Sequence, residues 1–246
     1  MLSAVAAIAD ALLERLASAP REAAIFLDFD GVLAPIVARP EDAYAPPETR
    51  AELERLVDDY GLVSVVSGRA GDDVRERVGV VGVVYVGSHG LEHDPQAERW
   101  RRRIGELASD APWPERETEL KGLSVAFHFR EAEDERAAVR ELEAIAARAT
   151  DEGLVARFGR KVLEIVPPLD ANKGTAARQL LREHGLDRAL YAGDDTTDLD
   201  AFRALEGLEV GVRVAVASAE SPSALRDAAD VVVETTDDVL ALLRRL

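Results

Sequence analysis

The chain has 246 residues, no cysteine and 47% hydrophobic residues, enough to bury a full core in one large domain or two smaller ones and too apolar for a disordered chain. Disulfides, thiol catalysis and cysteine-bound metals are therefore excluded. With 30 basic against 47 acidic residues and a formal charge of −17, nucleic acid is not an expected partner, and an anionic small molecule needs local positive charge or a metal ion to bind.

In chain order, the alanine-rich stretch up to Ala17 predicts an amphipathic helix, because Asp10, Glu14 and Arg15 interrupt it. It offers no clear export signal, and no segment approaches the ~20 consecutive apolar residues of a membrane span. The cytoplasm is the expected location, with no membrane partner. Residues 24–27 then predict a buried strand that runs into Asp28-Phe29-Asp30-Gly31. Successive strand side chains point to opposite faces, so Asp28 and Asp30 project the same way from the carboxyl end. Two carboxylates so placed repel each other unless a divalent cation neutralises them or one holds a proton. Alone, the pair also fits a solvated turn, or the metal and nucleotide-sugar site of glycosyltransferases.

A proline-rich loop over 35–47 and a helix over 48–60 lead to the β-branched run 62–66, which closes on Ser67-Gly68-Arg69. A hydroxyl and backbone N–H groups near a helix start can take a phosphate, although Ser67 alone also reads as a helix cap. A helix over 72–78 and a strand over 83–87 continue the alternation, which predicts a parallel sheet covered on both faces. After His93-Asp94-Pro95 the texture changes. Residues 124–130 alternate, a helix runs over 133–150, and 154–158 with 161–166 form a hairpin around Gly159, together a separate α+β module ending at Pro167-Pro168.

Asn172-Lys173-Gly174 opens a helix with Ala176, Ala177, Leu180 and Leu181 on one face, and Lys173 is a candidate point charge for phosphate. The apolar run at 189–192 ends in Gly193-Asp194-Asp195-Thr196-Thr197-Asp198, a second acidic cluster that can meet the first at one sheet edge. The expected organisation is 1–94 and 171–246 as a Rossmann-like α/β core, with 95–170 inserted as the α+β module.

These four segments, in this order, resemble the haloacid dehalogenase superfamily of phosphatases over about 24–233. The resemblance implies Asp28 as nucleophile, Asp30 as general acid/base, Ser67 as phosphate ligand with Gly68 and Arg69, Lys173 as the cation, and Asp194 with Asp195 as metal-binding acids. It also makes the inserted module a cap whose closure excludes water and chooses the substrate. Val32 stands where many members carry threonine. Five further segments look like the motifs of trehalose-6-phosphate phosphatases: Gly87-Ser88-His89-Gly90-Leu91-Glu92, Glu119-Leu120-Lys121-Gly122-Leu123-Ser124, His128-Phe129-Arg130, Gly159 through Ile165, and Gly193 through Asp198. By that similarity Glu119, Lys121, Arg130 and Glu164 bind the disaccharide hydroxyls or the phosphate, beside Arg160 or Lys161, with His89 and Asp198 in support. Leu199-Asp200 stands where that family often has Glu-Asp.

The implied reaction is two-step phosphoryl transfer from a small sugar phosphate through an aspartyl-phosphate. Mg2+ is held by Asp28, Asp194 and the Asp30 carbonyl, and acidic neighbours keep Asp30 protonated. A monomer is expected. The rivals are a phosphatase of sucrose or mannosylglycerate phosphate, a sugar phosphomutase, and a sugar-phosphate-binding module with a decayed site. Intact Asp28, Asp30, Lys173 and Asp194 argue against the last. Charged residues of the module also fit a solvated sheet face, and a lone histidine is more often structural than a ligand, so His89 and His128 are not expected to be catalytic.

Overall fold

The computed structural model describes residues 2–37, 39–130, 132, 134–159, 161–217 and 221–246, with residues 2–6 described by backbone alone. The chain divides into two compact units, Met1–Gly90 with Ala171–Leu246, and Leu91–Asp170.

The first unit contains helix α1 (Leu2–Ala17), strand β1 (Ala23–Leu27), α2 (Pro47–Asp59), β2 (Leu62–Val66), α3 (Gly71–Val78) and β3 (Val84–Val86). The second unit follows, with α4 (Ala97–Asp110), β4 (Thr118–Leu120), β5 (Val125–His128), α5 (Glu135–Asp151), β6 (Val155–Gly159) and β7 (Val162–Val166). The first unit then resumes with α6 (Lys173–His184), β8 (Arg188–Gly193), α7 (Asp198–Ala204), β9 (Val210–Val216), α8 (Ser223–Ala228), β10 (Val231–Val233) and α9 (Thr236–Leu243).

Six parallel strands in the order β10-β9-β8-β1-β2-β3 form the sheet of the first unit. Every residue of β1 and β2 is buried, as a parallel sheet covered on both faces requires. The alternation of side chains sorts them into two layers. Ile25, Leu27, Val63, Val65 and Leu190 pack with Leu13, Leu53, Val74 and Leu243 of α1, α2, α3 and α9. Ala24, Phe26, Val66 and Tyr191 pack with Leu180, Phe202 and Leu225 of α6, α7 and α8.

Local chemistry fixes where the helix that matters most begins and ends. Asn172 caps α6 by accepting from the Thr175 N–H at 2.9 Å, while Thr175 Oγ1 accepts from the Asn172 N–H at 2.8 Å, and Gly185 ends the helix in left-handed backbone. Lys173 is thereby placed in the first turn.

The second unit is a four-stranded antiparallel sheet, β4-β5-β7-β6. One face, with Val125, Phe127, Leu163 and Ile165, packs on Trp100, Ile104 and Leu107 of α4 and Leu142 and Ile145 of α5. This is the α/β core with an inserted α+β module that the alternation predicts. Helix α4 is an addition, since its apolar stripe is broken by Arg99 and Arg101 to Arg103 in sequence. The predicted helix start at Glu133 lies outside the described residues, and Asp134 caps α5 by accepting from the Ala137 N–H at 3.0 Å. Among the described residues no helix is long and apolar enough to cross a membrane.

At the sheet edge, Arg213 of β9 donates to Asp230 through its fork at 2.7 and 2.9 Å and through its backbone N–H at 2.9 Å. Burial works against the Asp230 carboxylate, but these hydrogen bonds outweigh it and hold its pKa below the usual range. A depressed folded-state pKa means stability that is present above the unfolded value and lost as pH falls through the folded one. Asp230→Asn is therefore expected to lower the urea midpoint at neutral pH, by about 1 kcal/mol for this half-buried pair. Its difference from wild type should shrink as pH falls below the ordinary carboxylate range towards the depressed folded-state pKa. An equal deficit at neutral and at acid pH would show that the loss is not that of the ion pair.

Candidate active site

The order β10-β9-β8-β1-β2-β3 means that the chain builds outward in one direction from β1 and in the other from β8. The crevice at the carboxyl ends of such a pair is where open α/β sheets bind ligands. Both acidic clusters fall there, because Asp28 directly follows β1 and Asp194 directly follows β8.

Asp28 is 5% exposed. Its Oδ1 accepts from the Phe29 N–H at 2.6 Å and its Oδ2 from Lys173 Nζ at 2.5 Å. Lys173, 1% exposed, also donates to Asp198 Oδ1 at 2.7 Å. Asp198 Oδ1 accepts from the Tyr191 hydroxyl at 2.8 Å as well, and its Oδ2 accepts from the N–H groups of Asp194 and Asp195, each at 3.0 Å. The lone pairs of Asp198 are thereby used up, so it fastens Lys173 and the Asp194 loop rather than facing a ligand. Among the described residues, no donor reaches the Asp194 carboxylate.

One ammonium bonds two of the three clustered carboxylates here. Burial, then Lys173 opposing it and Asp198 and Asp194 adding to it, leaves the Asp28 carboxyl pushed up from its ordinary value. Burial and Asp198 push Asp194 up to about 7. Burial alone would lower the Lys173 ammonium, but Asp28 and Asp198 beside it hold it above the usual lysine range. Burial, then Asp198, pushes the Tyr191 phenol up, keeping it a donor.

Oxygens of Asp28, Asp194 and Asp198 lie within 4.8 Å of one another. An all-carboxylate donor set carrying surplus negative charge suits a hard divalent cation. With Asp198 saturated, Asp28 and Asp194 are the side chains fitted to hold it. Gly31 makes the close approach possible. Its backbone is left-handed, φ +72°, and a Cβ there would lie 2.2 Å from Asp194 Oδ2.

Asp30 differs from the expectation. Its neighbour is a cation, since Arg69 Nε and Nη2 donate to its two oxygens at 2.7 and 2.8 Å in a bidentate pairing. Arg69 also lies over the Phe29 ring, 5.3 Å from its centroid. Its guanidinium is thus engaged with Asp30. Ser67 is buried beyond the end of β2, and its Oγ accepts from the Arg69 N–H at 3.2 Å across Gly68. Asp195 is exposed, and its Oδ1 accepts from the N–H and hydroxyl of Thr196 at 2.6 and 3.0 Å.

In the second unit, Glu119, Ala126, Glu164 and Arg157 form one row across the sheet, on the face opposite the buried cluster. Glu119 Oε2 meets Lys121 Nζ at 3.3 Å and His128 Nε2 at 3.0 Å. Glu164 is half-buried and Arg130 exposed. Lys161 pairs with Glu135 from left-handed backbone, φ +64°. Arg160 lies outside the described residues.

Sequence reasoning missed the engagement of Arg69 with Asp30 and missed Tyr191 altogether. The only signal for Tyr191 was a phenol in an otherwise aliphatic strand, on the residue face that Phe26 shares.

The fold is that of the haloacid dehalogenase type. A haloacid dehalogenase-like hydrolase from Bacteroides thetaiotaomicron superposes with a TM-score of 0.57 at 15% identity, over 91% of this chain and 99% of that one. Aspergillus fumigatus trehalose-6-phosphate phosphatase superposes with a TM-score of 0.66 at 24% identity, over 95% of each chain. Residues 26–234 match the family described as trehalose-phosphatase, and the chain belongs to that family. The trehalose-phosphate phosphatase of Mycobacterium marinum is 34% identical over 218 residues, which are 77% of this chain and 54% of that protein. The chain thus spans about half the length of such curated relatives.

Proposed function

We propose that the chain hydrolyses trehalose 6-phosphate to trehalose and inorganic phosphate, a step of trehalose biosynthesis, through a phosphoryl group carried on Asp28. The observation that carries the reading is a buried Asp28 at the switch point, bonded to Lys173 and crowded by Asp194, in a chain of the trehalose-phosphatase family.

Asp28 attacks phosphorus, and the bond to the sugar 6-oxygen breaks. Asp30 enters the first step carrying a proton, gives it to the departing oxygen, and recovers one from the water that cleaves the aspartyl-phosphate. Lys173 and the Ser67 hydroxyl hold phosphate oxygens. Asp28, Asp194 and the Asp30 carbonyl would hold Mg2+, which when bound supplies the charge that brings an anionic phosphate beside an anionic nucleophile. In the second unit, Glu119, Lys121, Arg130 and Glu164 offer acceptors and donors to vicinal sugar hydroxyls.

The test is phosphate release with Mg2+ across trehalose 6-phosphate, sucrose 6-phosphate, mannosylglycerate phosphate and glucose 6-phosphate. Trehalose 6-phosphate should turn over fastest, activity should disappear with a chelator, and Mg2+ should restore it. Faster release from another sugar would reassign the substrate. A rearranged sugar phosphate would mark a mutase, and binding without turnover a sensor.

A further inference from the structure

Three consecutive residues at the end of β3 hold left-handed backbone: Ser88 (φ 52°), His89 (φ 56°) and Gly90 (φ 99°). Only the last is glycine. Left-handed backbone costs a residue with a side chain about 1–2 kcal/mol, so two in succession persist only where the surroundings demand them.

The demand comes from the turn that carries Ser67. The Ser88 N–H donates to the Arg69 carbonyl at 2.7 Å, and the His89 N–H donates to the Ser67 carbonyl at 2.8 Å. The carbonyls on both sides of Gly68 are therefore tied to consecutive amides. Inside the same turn the Arg69 N–H is bonded to Ser67 Oγ, which leaves the hydroxyl proton to donate elsewhere. The His89 ring lies against Gly68, so close that a Cβ on Gly68 would be 2.5 Å from its Cε1 and 2.7 Å from its Nε2. On the other side Gly90 packs on the residue before Lys173, where a Cβ would lie 2.6 Å from the Asn172 carbonyl oxygen. One strained tripeptide thus touches both the Ser67 turn and the start of the Lys173 helix.

We propose that His89 is a positioning residue for phosphate, its ring laid over Gly68 to hold the Ser67–Arg69 turn in the conformation that aims the Ser67 hydroxyl at the transferring group. The amides alone could be presented by glycine. An exposed imidazole kept at the expense of backbone strain is the feature that a purely backbone role leaves unexplained. The assignment rests on the phosphatase reading given above.

The experiment compares His89→Gly and His89→Asn with wild type. Both substitutes accept left-handed backbone and retain the amide, so the thermal midpoint should hold or rise, for glycine by about 2–4 °C. With trehalose 6-phosphate, kcat should fall about tenfold or more in both variants while KM changes less than about twofold, because the lost constraint acts on the transferring group rather than on sugar binding. The stabilisation by inorganic phosphate with Mg2+ should shrink in both. Variants with wild-type kcat overturn the proposal, since the amides would then be all that matters. A wild-type protein that releases no phosphate overturns the phosphatase reading instead, and the inorganic phosphate shift then decides, with equal shifts in wild type and both variants counting against a role for the ring.

Discussion

Asp28→Asn is expected to lower kcat for phosphate release by about three decades or more, equivalent to about 4 kcal/mol of barrier. An amide oxygen is a poor nucleophile, and its substitution also removes one of the charges that would hold a cation. The fold should survive, because asparagine has nearly the same shape and its oxygen can still accept from the Phe29 N–H or from Lys173, the two donors that reach Asp28. The measurement is phosphate release under saturating trehalose 6-phosphate, with circular dichroism melting as the control for folded protein. Near-normal turnover in a folded variant would remove Asp28 from the reaction and the covalent mechanism with it.

Asp198→Ala should act on stability instead. Removal of that carboxylate strips Lys173 of one of its two anionic partners, leaves the buried Tyr191 hydroxyl without its acceptor, and frees the N–H groups of Asp194 and Asp195. Breaking a buried ion pair by deleting one partner costs about 3–5 kcal/mol. A urea titration should show a loss of that order. The neighbouring Asp200→Ala is the control, since the Asp200–Arg203 pair has side chains 40% and 63% exposed and its removal should change stability by less than about 0.5 kcal/mol. Similar small losses in both variants would mean that Asp198 does not hold the site together.

How much of this was legible in sequence depends on the range of the cause. Asp28, Asp30 and Asp194 could be found because each ends an apolar run, and a strand end is a local signal. The parallel sheet was legible for the same reason, as β1 reads as an unbroken apolar segment and β2 as one interrupted only by Ser64. Helix α4 was not singled out, although Trp100, Ile104 and Leu107 keep helical spacing, because the arginines among them dilute the stripe. The engagement of Arg69 with Asp30 depends on β1 and β2 lying side by side, and the saturation of Asp198 on where α6 starts relative to β8. No window of sequence contains those facts. Left-handed backbone at Ser88 and His89 was hidden for another reason, since neither residue type advertises it as glycine does.

The contact between Gly90 and the Asn172 carbonyl also bears on how such a chain can change over evolutionary time. The segment Leu91–Asp170 departs from the first unit and returns to it at neighbouring points, so its two ends are already held together by the unit into which it is inserted. Closing a loop costs free energy that rises only logarithmically with its length. Replacing that segment by a longer, shorter or unrelated one therefore asks little of the sheet, whose strands pair without it. Lys173 and Asp28, separated by 145 positions, would keep their contact through such an exchange. The inserted segment is in this sense a removable cassette, open to exchange without disturbing the acidic cluster of the first unit.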